Sequence, residues 1–361
     1  MHVTHGRPRK TTKNKRTGKK LLKNNNILFE KVRIHMILRT RIIGTLLAAI
    51  TLAFSSIASA KEMRLGLIVP ISHAWSVAAK AMGEELKERS DGKFSVSIFP
   101  SGQLGSEAQM MQQLQTGALD MAFLTAAELT NHVTDMGALF APYLVGDVEE
   151  AGKLLNGPTA QRLLDRLPRK TGTVGLGYGI AAMRLMLTTF PADSVESLDG
   201  RKIRVTPFAP VQDFYQILGA APTPMPLPAV YDALANGQVD GIDADLELVW
   251  KLKLYERGDT LLYSRHMMFP VVGLISGRLW AQLGEADRAL IAEVAKKHLN
   301  NLFGQYSEIE ARMLKNLQGT ELNVVEVGPE FFEGKLEQWD KTWSQKSSIL
   351  KDLRKEAAEL E

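Results

Sequence analysis

Cysteine is absent from all 361 residues. Disulfides, thiolate metal sites and cysteine nucleophiles are therefore excluded, and the chain is compatible with an oxidising compartment, which demands no cysteine. Enzyme signatures are missing as well: there is no Gly-x-Ser-x-Gly, no His-Glu-x-x-His and no Walker loop. Only four histidines lie beyond residue 60 (His73, His132, His266 and His298), too scattered to suggest a metal site. Past that point no apolar run is long enough to cross a bilayer. Acid is scarce only at the start: residues 1 to 60 hold 13 of the 44 Lys and Arg but one of the 40 Asp and Glu, Glu30. The formal net charge of +4 thus belongs to the N-terminus, and the remainder, with 31 basic and 39 acidic side chains, is acidic. No nucleic-acid partner is expected for it.

The N-terminal stretch reads as a secretory signal with a prefix. Arg39 and Arg41 form a positive n-region, Ile42 to Phe54 is an apolar run too short to span a bilayer, and Ala58-Ser59-Ala60 is a small-residue cleavage site. Met36 stands where such a signal would start, which predicts a signal over 36–60, a mature start near Lys61 and a prefix, 1–35, from an early start codon. A basic tail binding nucleic acid is the alternative.

At 45% hydrophobic and 23% charged residues over its full length, the chain has the composition of a soluble globular protein and is long enough for two α/β domains. Met63–Val69 reads as a strand, and Trp75, Ala78, Met82 and Leu86 come next at helical spacing. Phe94–Ile98 alternates as a strand should. Ser106 with Gln109 forms a capping box for a helix containing Met110, Met111 and Leu114, and Leu119–Leu124 is a short buried strand. Alternating strands and helices imply a parallel sheet with crossover helices.

Gly177 to Ala182 fits a loose dinucleotide fingerprint, but the next segment, Met183–Phe190, is alternating and β-rich instead of opening a helix. The glycine-rich stretch is read as a crossing strand. Lys202–Val205 begins a second lobe, Val211–Leu218 is its helix, and a proline-punctuated stretch runs from Pro222 to Pro228. Leu114-x-x-Gly117-x-Leu119-Asp120 recurs as Leu234-x-x-Gly237-x-Val239-Asp240, which suggests paired domains of similar build or shared helix-capping grammar. Phe269–Ser276 is an apolar strand that returns the chain to the first lobe. Glu285–Leu317 is a long helix able to brace both lobes, and the charged tail with Trp339 and Trp343 is expected over the second.

Arg204 ends a predicted strand, where ligands of parallel sheets gather. Its planar fork suits a carboxylate, either a ligand's or one of the chain's own. His73 opens a helix after a strand and is the other residue so placed.

In order and spacing, Phe99-Pro-Ser-Gly-Gln-Leu-Gly-Ser106, Leu114–Asp120, Asp199-Gly-Arg-Lys-Ile-Arg-Val205, Pro222-Thr-Pro-Met-Pro226, Val230-Tyr231 and Val239-Asp-Gly241 resemble the extracytoplasmic solute receptors of TRAP-type (tripartite ATP-independent periplasmic) transporters, the DctP family. The likeness covers nearly all of residues 61 to 345. It implies a two-lobed α/β periplasmic binding protein (Venus-flytrap) fold with a long helix bracing both lobes. Lobe I would comprise 61–182 with 270–309, and lobe II 183–269 with 310–361. Arg204 falls on the family's carboxylate-clamping arginine and Arg184 on a second, assisting one. Glu107 falls where sialic-acid receptors place an acidic contact, and the first lobe would add His73, Trp75 and Gln103. The sequence departs from the family where many members carry Glu-Asn, since it reads Asp243-Ala244-Asp245. Those two acids suggest a ligand with a cationic group, a bridging metal ion, or helix N-terminal acids favoured by the dipole. Leu227 stands where some members place a stacking aromatic.

The resemblance implies a periplasmic receptor, not an enzyme. It would need no cofactor or resident metal, act as a monomer, and deliver a small carboxylate to the small and large membrane subunits of a permease. A ligand sensor for a signalling protein, or a periplasmic enzyme using His73 and Glu107 in the same cleft, are the rival readings.

Overall fold

The computed structural model describes residues 60–360, together with Met36. The expected signal and prefix lie outside the described residues. Within 60–360 the chain builds two lobes, each around its own sheet, of five strands in lobe I and six in lobe II.

Lobe I opens with β1 (Lys61–Gly66), α1 (Ala74–Arg89), β2 (Phe94–Phe99), α2 (Glu107–Thr116) and β3 (Met121–Thr125). The short α3 (Ala126–Leu129) is next, then a 3-10 turn over Thr134–Phe140 and the helices α4 (Val148–Asn156), α5 (Pro158–Leu164) and α6 (Leu167–Thr171). The glycine-rich segment is β4 (Thr173–Met183), a strand as expected, and after Arg184 the chain runs straight into β5 (Leu185–Thr188) of the second sheet. Lobe II continues with β6 (Lys202–Val205), α7 (Ala209–Ile217), β7 (Ala221–Pro224), α8 (Val230–Ala235), β8 (Gly241–Ala244), α9 (Leu246–Lys251) and β9 (Thr260–Tyr263). The chain then returns as β10 (Met268–Ser276) to lobe I, pairing antiparallel with β3 and β4.

The sequence echo is structural. Gly117 and Gly237 both take the left-handed backbone that closes a helix (φ +78° and +66°). Three residues on, Asp120 accepts the backbone N–H of Arg64 at 2.9 Å and Asp240 that of Lys202 at 2.8 Å, each pinning the neighbouring parallel strand. The strand orders β2-β1-β3 and β7-β6-β8 are the same arrangement built twice. One element departs from the sequence expectation. The stretch read only as proline punctuation contains β7, which pairs with β6 alone; an edge position tolerates Pro222 and Pro224 because no partner needs their missing N–H.

Both crossings hold one residue in the left-handed region, Ala182 (φ +60°) and Arg265 (φ +45°). They are stitched together by Arg184 N–H to Met267 O (2.7 Å) and His266 N–H to Arg184 O (3.1 Å). After α10 (Gly277–Gln282), the 34-residue α11 (Glu285–Gln318) packs on α1, α4 and β4 of lobe I and on α9 and β11 of lobe II, where β11 is Asn323–Glu326. It is the brace the sequence predicts, and its Glu310 accepts the Met183 N–H at the crossing.

The tail does not stay on lobe II. In α12 (Lys335–Lys346), Trp339 donates to Pro210 O and Trp343 to Asp213 of α7, while Trp343 also lies against Gly137 in the lobe I 3-10 turn, where no side chain would fit. Next, α13 (Leu350–Ala358) packs on α4, α5 and that same turn. An amphipathic pattern reports that a face is covered, but not by which lobe.

Candidate functional site

In both sheets the C-terminal ends of the parallel strands point into one cleft, the place where open α/β sheets gather ligands. The cleft encloses a cavity of about 420 Å³. Arg204, at the end of β6, and Asp245, just past β8, line it from lobe II; Ile68 and Val69 past β1, Thr125 at the end of β3, and Glu107 and Glu128 line it from lobe I. Trp75, Leu227, Leu248 and Phe269 make the walls between them largely apolar.

The two arginines are used differently. Arg184, buried between the lobes, bonds through Nε to Asp243 (2.8 Å), through Nη2 to the same oxygen, and through Nη1 to Asp245 (3.3 Å), with its guanidinium 4.3 Å over the Phe269 ring. Arg204, only 3% exposed, donates to the Met225 carbonyl through Nε (3.0 Å) and Nη2 (2.8 Å) and to the Asp243 carbonyl through Nη1 (3.2 Å). No carboxylate among the described residues pairs with it, and two of its five N–H donors, one on each terminal nitrogen, have no protein acceptor there. Burial, then the neighbouring Arg184, lowers its pKa to about 10. A buried cation fixed by neutral carbonyls is short of one anion.

Asp243 is not at the cavity surface. It sits behind Arg184, also accepting from Tyr215 Oη at 3.1 Å, with His266 Nε2 at 3.3 Å. Burial works against its ionisation, but Arg184 and His266 overcome it and hold the carboxyl at about 2. Asp245 has a double duty, since its Oδ1 caps α9 at Leu248 N–H (2.9 Å) while Oδ2 meets Arg184. Both acids are thus committed to the arginine and the helix, and no group of metal-ligating side chains occurs among the described residues.

On the other wall, Glu107 accepts from Thr125 twice, at the backbone N–H (2.6 Å) and the hydroxyl (3.0 Å). Burial, with Glu128 adding repulsion, pushes its pKa up to about 7 even though Arg204 pulls the other way. Glu128, absent from the sequence expectations, is 2% exposed and likewise pushed up to about 7 by burial; its contacts are a 3.5 Å bond from Asn131 and His132 at 3.9 Å. The only sequence signal for it was an acid in a helix following a buried strand.

His73 caps α1: its Nδ1 accepts the Trp75 N–H (3.2 Å), which leaves the proton on Nε2, facing Glu247 at 3.2 Å. Burial lowers its pKa to about 4 despite that carboxylate. It lines the cavity with both nitrogens engaged. Trp75 packs beside it and donates to Ile180 O on β4 (2.9 Å). Gln103 is exposed and outside the cavity wall, so the structure does not bring it to the others. Sequence reasoning also missed Glu247, which ties the lobes together. From α9 it accepts Ala74 N–H (3.1 Å) in lobe I, Tyr306 Oη (2.7 Å) on α11 and Lys251 Nζ (2.7 Å), while Lys251 also reaches Ser72 O.

Two lobes with one shared cleft, an unneutralised cation inside it and a brace along both define a solute receptor by architecture. The profile of bacterial extracellular solute-binding protein family 7, DctP, matches residues 65–348, and the chain belongs to that family. A solute-binding protein of Roseobacter denitrificans is 30% identical over 265 residues, 72% of this chain and 81% of the relative. The sialic acid-binding periplasmic protein SiaP of Vibrio cholerae is 27% identical over 252 residues, 70% of this chain and 78% of SiaP. Among solved structures, a TRAP periplasmic solute-binding protein from a Bradyrhizobium species, in complex with galacturonate, superposes with a TM-score of 0.77 at 30% identity, covering 82% of this chain and 99% of its own.

Proposed function

We propose that this chain is the periplasmic receptor of a TRAP transporter, that it holds a small organic carboxylate in the interlobe cleft with Arg204 as the anchor, and that it delivers the ligand to the membrane subunits of a permease. The observation that carries this reading is the asymmetry between the arginines. Arg184 has two carboxylates of its own, whereas Arg204 is buried at the cavity wall with two free donors and none. An incoming carboxylate completes it through charge-assisted bonds in a dry site, where such pairs are strongest. Arg184 is then a positioning residue that holds Asp243, whose carbonyl in turn steadies Arg204. Residues 61–182 with 270–309 and 183–269 with most of the remainder move as the two jaws, and the ligand favours their closed state by touching both. Export requires the signal over 36–60 to be removed.

The test is a thermal-shift screen of small monocarboxylates, followed by calorimetry on the hits, since a ligand that binds only the folded state raises its apparent stability. Arg204→Lys keeps the charge but loses the planar fork. We expect an affinity loss of roughly 10- to 150-fold, the loss of one charge-assisted hydrogen bond at about 1.5–3 kcal/mol. The unliganded variant should keep its far-UV spectrum. Undiminished affinity in Arg204→Lys would remove the anchor.

A further inference from the structure

We infer that the ligand carries, at the end opposite its carboxylate, a protonated amine that sits between Glu107 and Glu128. This rests on Arg204 as the carboxylate anchor. The cavity is charged in two opposite ways. Both of its cations, Arg184 and Arg204, belong to the crossing and to lobe II, while lobe I presents two carboxylates and no cation. Arg184 is engaged by Asp243 and Asp245, and although Arg204 pulls on Glu107 from the other wall, no lysine or arginine among the described residues bonds to either lobe I acid.

Glu128 makes the point independently of Arg204. Its carboxylate is almost wholly out of water, yet its partners are one long bond from Asn131 and an imidazole 3.9 Å away. A buried carboxylate so poorly matched is costly until a donor arrives. Glu107 is different in that Thr125 fixes both of its oxygens, which aims their remaining lone pairs instead of satisfying them all.

The walls between the charged ends decide the middle of the ligand. Trp75, Leu227 and Phe269 offer apolar surface, and Ser106, Thr125, Asn131 and Thr206 are the hydroxyl and amide side chains among the lining, so a mostly hydrocarbon body with few hydroxyls fits better than a polyhydroxylated one. A dicarboxylate is disfavoured more strongly, because its second carboxylate would face two acids at the lobe I wall. The class that fits is therefore a compact zwitterion with carboxylate and ammonium at opposite ends.

A length series separates the possibilities: linear ω-amino acids of three to six carbons, the ω-hydroxy acids and the dicarboxylates of the same lengths, each titrated by calorimetry against the wild-type chain, Glu128→Gln and Arg204→Lys. The expected result is that at one length the amino acid binds at least tenfold more tightly than either counterpart, and that Glu128→Gln narrows its lead over the hydroxy acid to under threefold. The inference is overturned if at every length a hydroxy acid or dicarboxylate binds as tightly as the amino acid, if no amino acid binds, or if Glu128→Gln leaves the lead intact. Should hydroxy acids bind best and still be lost in Arg204→Lys, the anchor stands and only the amine falls. Binding that survives Arg204→Lys in all three classes removes the anchor itself.

Discussion

Replacing Glu247 by alanine removes a carboxylate on which both lobes and the brace converge. Glu247 is 1% exposed and receives the N–H of Ala74 at the start of α1, Tyr306 from α11, His73 and Lys251. Bonds to a charged acceptor contribute about 1.5–3 kcal/mol each in isolation. They do not add, and Lys251, which is partly exposed and keeps Ser72 O, turns to water. The Ala74 N–H is left stranded in the interior, and the Tyr306 hydroxyl and the His73 Nε2–H keep only each other, at 3.4 Å. The cost expected is therefore that of unsatisfied buried donors, about 1–3 kcal/mol each and not additive, roughly 3 kcal/mol in all. Glu247→Gln keeps one carbonyl oxygen for Ala74 and Lys251 but aims an N–H at the His73 proton, and should cost about 1–3 kcal/mol. The control is Glu84, whose pair with Lys80 at 3.9 Å has both side chains about 70% exposed; Glu84→Ala should change stability by less than about 0.5 kcal/mol. Urea unfolding followed by far-UV circular dichroism reads all three. If Glu247→Ala proves as mild as Glu84→Ala, the carboxylate does not tie the lobes, and the convergence of partners on it is incidental.

The charge arrangement makes two further outcomes testable. Arg184→Ala should destabilise the unliganded protein by about 3–5 kcal/mol in the same urea assay, because it strands Asp243 and Asp245 in the interior, whereas Arg204→Lys strands no carboxylate; equal losses in the two variants would contradict the assignment of roles. Glu107 has a folded pKa raised by burial to about 7, above its unfolded value, so its contribution to stability is fully present below about pH 4.5 and is lost as pH rises through 7. Glu107→Gln removes that titration, so the variant should gain on the wild type between pH 5 and 8.5, by up to about 3 kcal/mol at 1.36 kcal/mol per pKa unit, and a pH-independent difference would refute the shift.

What the sequence reveals of this site is set by how far each partner lies along the chain. Arg204 was legible because its own strand, with a guanidinium at the C-terminal end, already suggests an anion at a parallel sheet's edge. Asp243 and Asp245 were visible as acids but not as partners of Arg184, since that pairing depends on β5 lying antiparallel to β8 with Leu185 opposite Ala244. Glu247 reads locally as an acid in the first turn of a helix, favoured by the dipole. Its decisive contact, with Ala74, lies 173 residues away in the other lobe. The duplicated unit supplies what local reading could not. Arg64 and Lys202 occupy equivalent places beside Asp120 and Asp240, which sets Gly66 of lobe I against Arg204 of lobe II, Thr125 against Asp245, and Glu128 against Leu248. Thr125 and Asp245 still perform the same task, each capping the short helix that comes after it. The other two pairs have diverged in charge. A side chain at Gly66 would meet Met110 Sδ at 2.6 Å, so a cation at this position of lobe I would require Met110 to move. The polarity of the cleft, basic on one wall and acidic on the other, thus arises from one strand-end scaffold built twice and furnished differently each time.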